Sequence, residues 1–292
     1  MTVKSQDGAI APQERVFVAL DTPDIERAAA LSKAVLGAVG GVKVGKELFT
    51  AQGPDGVRVA AGGAPLFLDL KFHDIPNTVA GAVRAAVHLR PAILNVHASG
   101  GRAMMQAAAQ AARETAEDLG IERPKVIGVT VLTSLDAADL EEVGQRGPAE
   151  DQVLRLARLT QDSGLDGVVC SPREIAALRQ ACGADFLLVV PGIRPTWAAS
   201  GDQKRVMTPA EAIAAGADHL VIGRPINAAD DPRAAARRIA EELAAAAEHD
   251  GGPHSGGPHS GGPQSGGPRS GGTTGSGGAT GSAGGPQEAR AG

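Results

Sequence analysis

Between Arg15 and Glu248, short apolar runs alternate with longer segments whose apolar residues recur every three or four positions. The short runs are VFVAL (16–20), GVKVG (41–45), LFLDL (66–70), ILNVH (93–97), KVIGVTVL (125–132), GVVC (167–170), FLLVV (186–190) and HLVIG (219–223). Most are rich in β-branched residues and nearly continuous in apolar character, as strands buried on both faces are. The Ala- and Leu-rich segments between them have helical spacing. SPRE (171–174) and TPAE (208–211) each offer a hydroxyl N-cap, Pro at the first helical position and Glu at the third. TPD (22–24) is a weaker version, with Thr22 in the cap position. Gly37, Gly120, Gly164, Gly183 and Gly216 fall where helices are expected to end. Eight strand–helix units in one run predict a (β/α)8 TIM barrel. A doubly wound open sheet is the alternative. No G-x-G-x-x-G follows the first strand, which counts against a dinucleotide site.

Composition narrows the setting. From Gly251 the chain reads GGPHS, GGPHS, GGPQS, GGPRS and then Gly/Ser/Thr-rich sequence, without Val, Ile, Leu, Met, Phe or Trp. Such a segment cannot bury enough apolar surface to offset the entropy of ordering. The expected organisation is a flexible N-terminus (1–14), a catalytic barrel (15–248) and a disordered low-complexity tail (249–292). His254 and His259, five residues apart on such a tail, are poorly preorganised for a metal ion. Net charge is −5 with no basic stripe, which argues against a nucleic-acid partner. The first residues lack the apolar core of a signal peptide, and no apolar run approaches the roughly 20 residues of a membrane helix. Two cysteines, Cys170 and Cys182, make no disulfide framework. A cytoplasmic protein without membrane contact is expected.

One strand ends unlike the others. In FLDLKFHDIPNTV (67–79) an apolar run closes on Asp69, Lys71 and Asp74. Alternate side chains of a strand share a face, so Asp69 and Lys71 emerge together. In a (β/α)8 barrel, chemistry gathers at the C-terminal ends of the strands. Asp21, Lys43, Asp69, Lys71, His97, Thr133, Arg194 and Arg224 all fall at or just after such ends. Taken singly, a strand-end aspartate such as Asp21 is usually a helix cap, and His97 reads as a hydrogen-bonded wall residue. His73 and His219 receive no role. No His/Cys/carboxylate group has metal-site spacing, so no metal is predicted. Packing gives no reason for Lys43, Asp69 and Lys71 to converge on one mouth; chemistry does. VIGRP (221–225) pairs Gly223, which permits close backbone approach, with Arg224 as a charged donor, at the usual phosphate end of this barrel. GIRPTWAASGDQKRV (192–206) is long for a connection and reads as a lid.

These residues carry a resemblance. DLKFHDIPNTV, VALD (18–21), VKVGKELF (42–49), GVTVLTS (128–134), VVPGIRP (189–195), DQKRVMTPAEAI (202–213) and VIGRPI (221–226) resemble, in order and spacing, the orotidine 5'-phosphate decarboxylase family. The resemblance covers nearly all of residues 15–247 and leaves out the tail. It implies cofactor-free decarboxylation of orotidine 5'-phosphate to uridine 5'-phosphate in pyrimidine biosynthesis, with Lys71 as proton donor to C6. It further implies that Asp21 and Lys43 hold ribose hydroxyls. By the same resemblance, Lys43, Asp69, Lys71 and Asp74 would form an alternating charge network, and Thr133 would contact the pyrimidine edge. The resemblance likewise assigns Gln203, in the expected lid, to bridging base and phosphate, and Arg194, Gly223 and Arg224 to the phosphate end. It implies that Asp74 and Thr78 would reach into a neighbouring subunit's site, which would make the enzyme a homodimer. Two other readings stay open. Sugar-phosphate decarboxylases of the 3-keto-gulonate 6-phosphate type share D-x-K-x-x-D but use magnesium, with an acidic residue where this chain has Lys43. The second is a catalytically silent nucleotide-phosphate-binding barrel.

Overall fold

The computed structural model describes residues 10–145, 147–198 and 207–250. Positions 199–206 of the expected lid (192–206), Gln203 among them, and the tail from Gly251 lie outside the described residues. Among the described residues, eight parallel strands close into a barrel in chain order: a TIM barrel. The strands are β1 (Val16–Ala19), β2 (Gly41–Gly45), β3 (Leu66–Phe72), β4 (Ile93–His97), β5 (Lys125–Val129), β6 (Gly167–Val169), β7 (Leu187–Pro191) and β8 (His219–Ile222). The open-sheet alternative is thereby excluded, since β1 pairs with both β2 and β8.

The helices are α1 (Ile25–Val35), α2 (Lys46–Ala61), α3 (Pro76–Val87), α4 (Arg102–Asp118), α5 (Ala137–Glu142), α6 (Ala149–Asp162), α7 (Ile175–Cys182), α8 (Pro209–Ala214), α9 (Arg224–Asn227) and α10 (Pro232–Asp250). Two units therefore carry a second helix, after β5 and after β8. Thr208 and Glu211 form the expected capping box on α8. Ser171 and Glu174 form another, on a 3-10 turn (Pro172–Glu174) that leads into α7. Thr22 does not cap α1. Asp24 does, accepting from the Glu26 and Arg27 amides, while the Thr22 hydroxyl accepts from the Asp24 amide. A carboxylate is the stronger acceptor for the positive end of a helix, and two residues later it has the better position. All five glycines expected at helix ends have positive φ. β5 stops at Val129 instead of running to Leu132; both neighbours end opposite that residue, β4 at His97 and β6 at Val169.

The barrel interior is filled from alternate positions along the strands. Phe17, Ala19, Phe67, Ile93, Ile127, Val189 and Val221 form a cluster there, separate from the larger core between strands and helices. Phe17 meets Phe67 edge-on at 6.2 Å and His219 edge-on at 5.4 Å. Gly41 makes this possible: a Cβ there would lie 2.6 Å from the Phe17 ring. At the N-terminal end one construction appears twice. Asp166, just before β6, accepts from Arg123 at 2.7 and 2.8 Å and from the Val126 amide of β5. Asp218, just before β8, accepts from Arg179 and from the Leu188 amide of β7 at 2.7 Å each. Charges there staple the barrel, leaving the opposite end for chemistry.

His219 belongs to this stapled end. Burial pushes its imidazole down to about 4, with Asp218 opposing and Arg15 assisting. In an unfolded chain histidine titrates near 6.5. The unfolded state thus takes up this proton at higher pH than the fold does. Stability from a neutral His219 is complete above about pH 6.5 and is lost as pH falls toward about 4. The denaturant midpoint is expected to drop across that window, and His219→Gln to flatten part of the drop. An equally steep drop in the variant would contradict this role.

Candidate active site

The C-terminal end of the barrel is where the sequence-predicted polar residues meet. Lys43 points from β2, and its Nζ lies 3.3 Å from Asp21 Oδ1 and 3.3 Å from Asp69 Oδ2. Lys71 Nζ lies 2.6 Å from Asp69 Oδ1. Lys43 and Asp69 are buried, Lys71 half-buried, and Asp21 largely exposed. Asp21 is therefore an ion-pair partner and not a helix cap.

Asp69 lies within β3, inside the run LFLDL, and so does Lys71, one residue past the end of that run. The strand runs on to Phe72, and its pairing with β4 slips. Leu68 pairs with Leu94 and Phe72 with Val96, so Asp69, Leu70 and Lys71 stand opposite Asn95 alone. Lys71 has φ 53°, a left-handed conformation uncommon for lysine. The acid and the base meet through a bulge that re-aims one of them, beyond simple alternation. Asn95 is completely buried within this bulge. Its Nδ2 donates to Asp69 Oδ1 at 2.7 Å, and its Oδ1 accepts from the Lys71 amide at 2.8 Å.

Burial alone would raise the Asp69 pKa. Lys43 and Lys71, with hydrogen bonds from Lys71 and Asn95, outweigh it and hold the carboxyl below its ordinary value. His97 lies beside this network, its ring 5.5 Å from that of His73. Burial, then His73, Lys46 and Lys71, push His97 down to about 4, against the pull of Asp69. A neutral imidazole at neutral pH fits a wall residue.

Two cavities open here. The larger, about 310 Å³, is lined by Asp21, Lys43, Asp69, Lys71, Thr133 and Gly223, with Cys170 in its wall. Burial, followed by Glu174, pushes the Cys170 thiol well above its ordinary value, so it is no nucleophile. The smaller, about 170 Å³, adds Lys46 and Glu47 from the start of α2. Arg194 and Arg224 follow β7 and β8, close after Gly192 and Gly223, which line the larger cavity. A Cβ on Gly223 would meet only ordinary contacts at 3.8 Å, so the fold leaves the space above it free.

Asp74 and Thr78 behave differently. Both are exposed at the start of α3, and among the described residues Asp74 accepts from the adjacent Ile75 amide. Neither lines the two cavities. Sequence reasoning missed Asn95 and Lys46. The signal for Asn95 was there: one amide in the apolar run ILNVH, facing the barrel interior.

A sequence model of the orotidine 5'-phosphate decarboxylase / HUMPS family matches residues 14–239. The chain belongs to that family. It is similar to the orotidine 5'-phosphate decarboxylase of Paramagnetospirillum magneticum, with 59% identity over 229 residues, 78% of this chain and 97% of that one. Similarity to the enzyme of Rhodospirillum rubrum is 60% over 233 residues, 79% of this chain and 94% of that one. The crystal structure of orotidine 5'-phosphate decarboxylase from Lactobacillus acidophilus matches with a TM-score of 0.70 at 39% identity, covering 78% of this chain and 98% of that one. Among the described residues, no helix is long and apolar enough to cross a membrane.

Proposed function

We propose that this chain decarboxylates orotidine 5'-phosphate to uridine 5'-phosphate, with Lys71 as the proton donor. The observation that carries the reading is the contact of Lys71 Nζ with Asp69 Oδ1 at 2.6 Å, in the wall of an open cavity. In the reaction the bond between C6 and the carboxylate carbon breaks, CO2 leaves, and the electron pair stays on C6. No carbonyl adjoins C6 to accept that pair. The Lys71 ammonium stabilises the developing charge and then gives C6 its proton, recovering one from solvent afterwards. Asp69 stands near the departing carboxylate. Two like charges about 4 Å apart repel by about 4 kcal/mol at an effective dielectric near 20, and loss of CO2 removes that repulsion. Lys43 keeps Asp69 ionised and, with Asp21, holds ribose hydroxyls. Thr133 contacts the pyrimidine edge. Arg194, Gly223 and Arg224 bind the phosphate, whose binding energy holds the charged arrangement together. Gln203, outside the described residues, is the residue that the resemblance assigns to base and phosphate. No cofactor takes part, and two free, buried cysteines fit a reducing cytoplasm.

The reading includes a homodimer with shared sites. Asp74 and Thr78 stand exposed beside Ile75, itself 67% exposed. From a partner subunit, Asp74 extends the alternation Lys43–Asp69–Lys71 by one more carboxylate. The smaller cavity beside Lys43 and Lys71 gives it room.

In excess chelator the full-length protein is expected to convert orotidine 5'-phosphate to uridine 5'-phosphate. Folded Lys71→Ala should lose turnover by roughly 10²–10⁴-fold or more. A divalent-metal requirement, or near-wild-type turnover by Lys71→Ala, would count against the reading. The shared site has its own test. Lys71→Ala and Asp74→Ala, each severely impaired, are unfolded and refolded together. Random pairing makes half of the dimers mixed, and in those one site carries both substitutions and the other neither. Activity should rise toward roughly a quarter of wild type. A verified mixed dimer that regains nothing would place Asp74 in its own chain's site.

A further inference from the structure

We infer that Asn95 is the positioning residue of this site, setting the angle at which Asp69 and Lys71 face the substrate; the inference rests on the reading that those two groups carry the reaction. A bulge takes backbone groups out of the ladder. The Lys71 N–H is such a group, and Asn95 Oδ1 accepts it at 2.8 Å. The same amide turns its Nδ2 to Asp69 Oδ1 at 2.7 Å. A carboxylate only accepts and a backbone N–H only donates, so the group between them must offer one donor and one acceptor. Asparagine does, and its short stem fits the single β4 position opposite three β3 residues.

Asn95 itself is 0% exposed; its bond to Asp69 is buried and its bond to the Lys71 amide partly so. Losing the buried bond would leave a polar group without a ready replacement partner. With Asn95 and Lys71 Nζ both on Oδ1, the Asp69 carboxylate cannot rotate freely, and Oδ2 is directed at Lys43. One side chain thus ties the backbone of the proton donor to the carboxylate beside it. The residues assigned to ribose and phosphate lie on other strands, so the effect of Asn95 belongs in kcat more than in KM.

Two substitutions test this. Asn95→Leu keeps the approximate volume and removes both bonds. On orotidine 5'-phosphate its kcat should fall by roughly 10²-fold, the scale of a misplacement near 1 Å, while KM changes little. Asn95→Asp keeps the shape. Ionised, it accepts from the Lys71 amide but faces Asp69 as a like charge; protonated, it donates to Asp69 and restores both bonds. The charged and titratable groups around that position are Asp69 and Lys71 on β3, Lys43 on β2, and His97 further along β4 with His73 against it. The kcat of Asn95→Asp should rise as pH falls through an ionisation absent from wild type. A packing defect alone produces no such limb. A kcat for folded Asn95→Leu within roughly threefold of wild type, or a wild-type pH profile for Asn95→Asp, overturns the inference. If Asn95→Leu does not fold, the profile of Asn95→Asp decides. Failure of the underlying reading is visible separately: Lys71→Ala would then turn over whatever the Asn95 variants do.

Discussion

A buried carboxylate held between two ammonium groups sets the terms for the rest of this molecule. Asp69 alone among apolar surroundings would take up a proton, because desolvation penalises the charge. Lys43 at 3.3 Å and Lys71 at 2.6 Å prevent that. The pairs are useful only if their geometry is fixed, since the desolvation of buried ions is recovered only with good contacts and satisfied hydrogen bonds. Everything nearby serves that fixing: the bulge in β3, the left-handed Lys71, the buried amide of Asn95 and the second contact of Lys43 with Asp21.

The arrangement costs stability. A non-glycine residue in a sparsely populated backbone region costs on the order of 1–3 kcal/mol. Lys43 and Lys71, two like charges, are held on one carboxylate, with Asp21 as a further partner of Lys43. The opposite end of the barrel holds the structure together. Asp166 and Asp218 each bind an arginine and a neighbouring strand's amide in the same way, and Phe17, Phe67 and His219 fill the interior beneath the site. One end of the strands is optimised for packing while the other carries charges that packing alone would exclude.

Much of this was legible in the residues, and the exceptions have physical causes. Apolar runs gave all eight strands because strands buried on both faces cannot hide their composition. Strand ends were less visible. β5 ends where both its neighbours end, a property of the sheet and not of its own sequence. The α1 cap moved from Thr22 to Asp24 because a carboxylate two residues on competes better for the same amides. Lys43, Asp69 and Lys71 were found by chemistry at strand ends, whereas alternation alone could not foresee a bulge that aims Lys71. Asn95 was overlooked because a single amide in an apolar strand looks like tolerated polarity until its two partners are seen. Asp74 and Thr78 are exposed and line neither cavity, so the packing of their own chain does not single them out; only the family resemblance does.

The central claim is that Asp69 remains an anion in spite of its burial. Its most direct measurement is the pH titration of the Asp69 carboxyl carbon in ¹³C-labelled protein, assigned with Asp69→Asn. The structure predicts ionisation below the ordinary value of 3.8, held there by Lys43, Lys71 and Asn95. A carboxyl that takes up its proton above 3.8 would mean that burial outweighs the lysines, and the charge network described here would be contradicted.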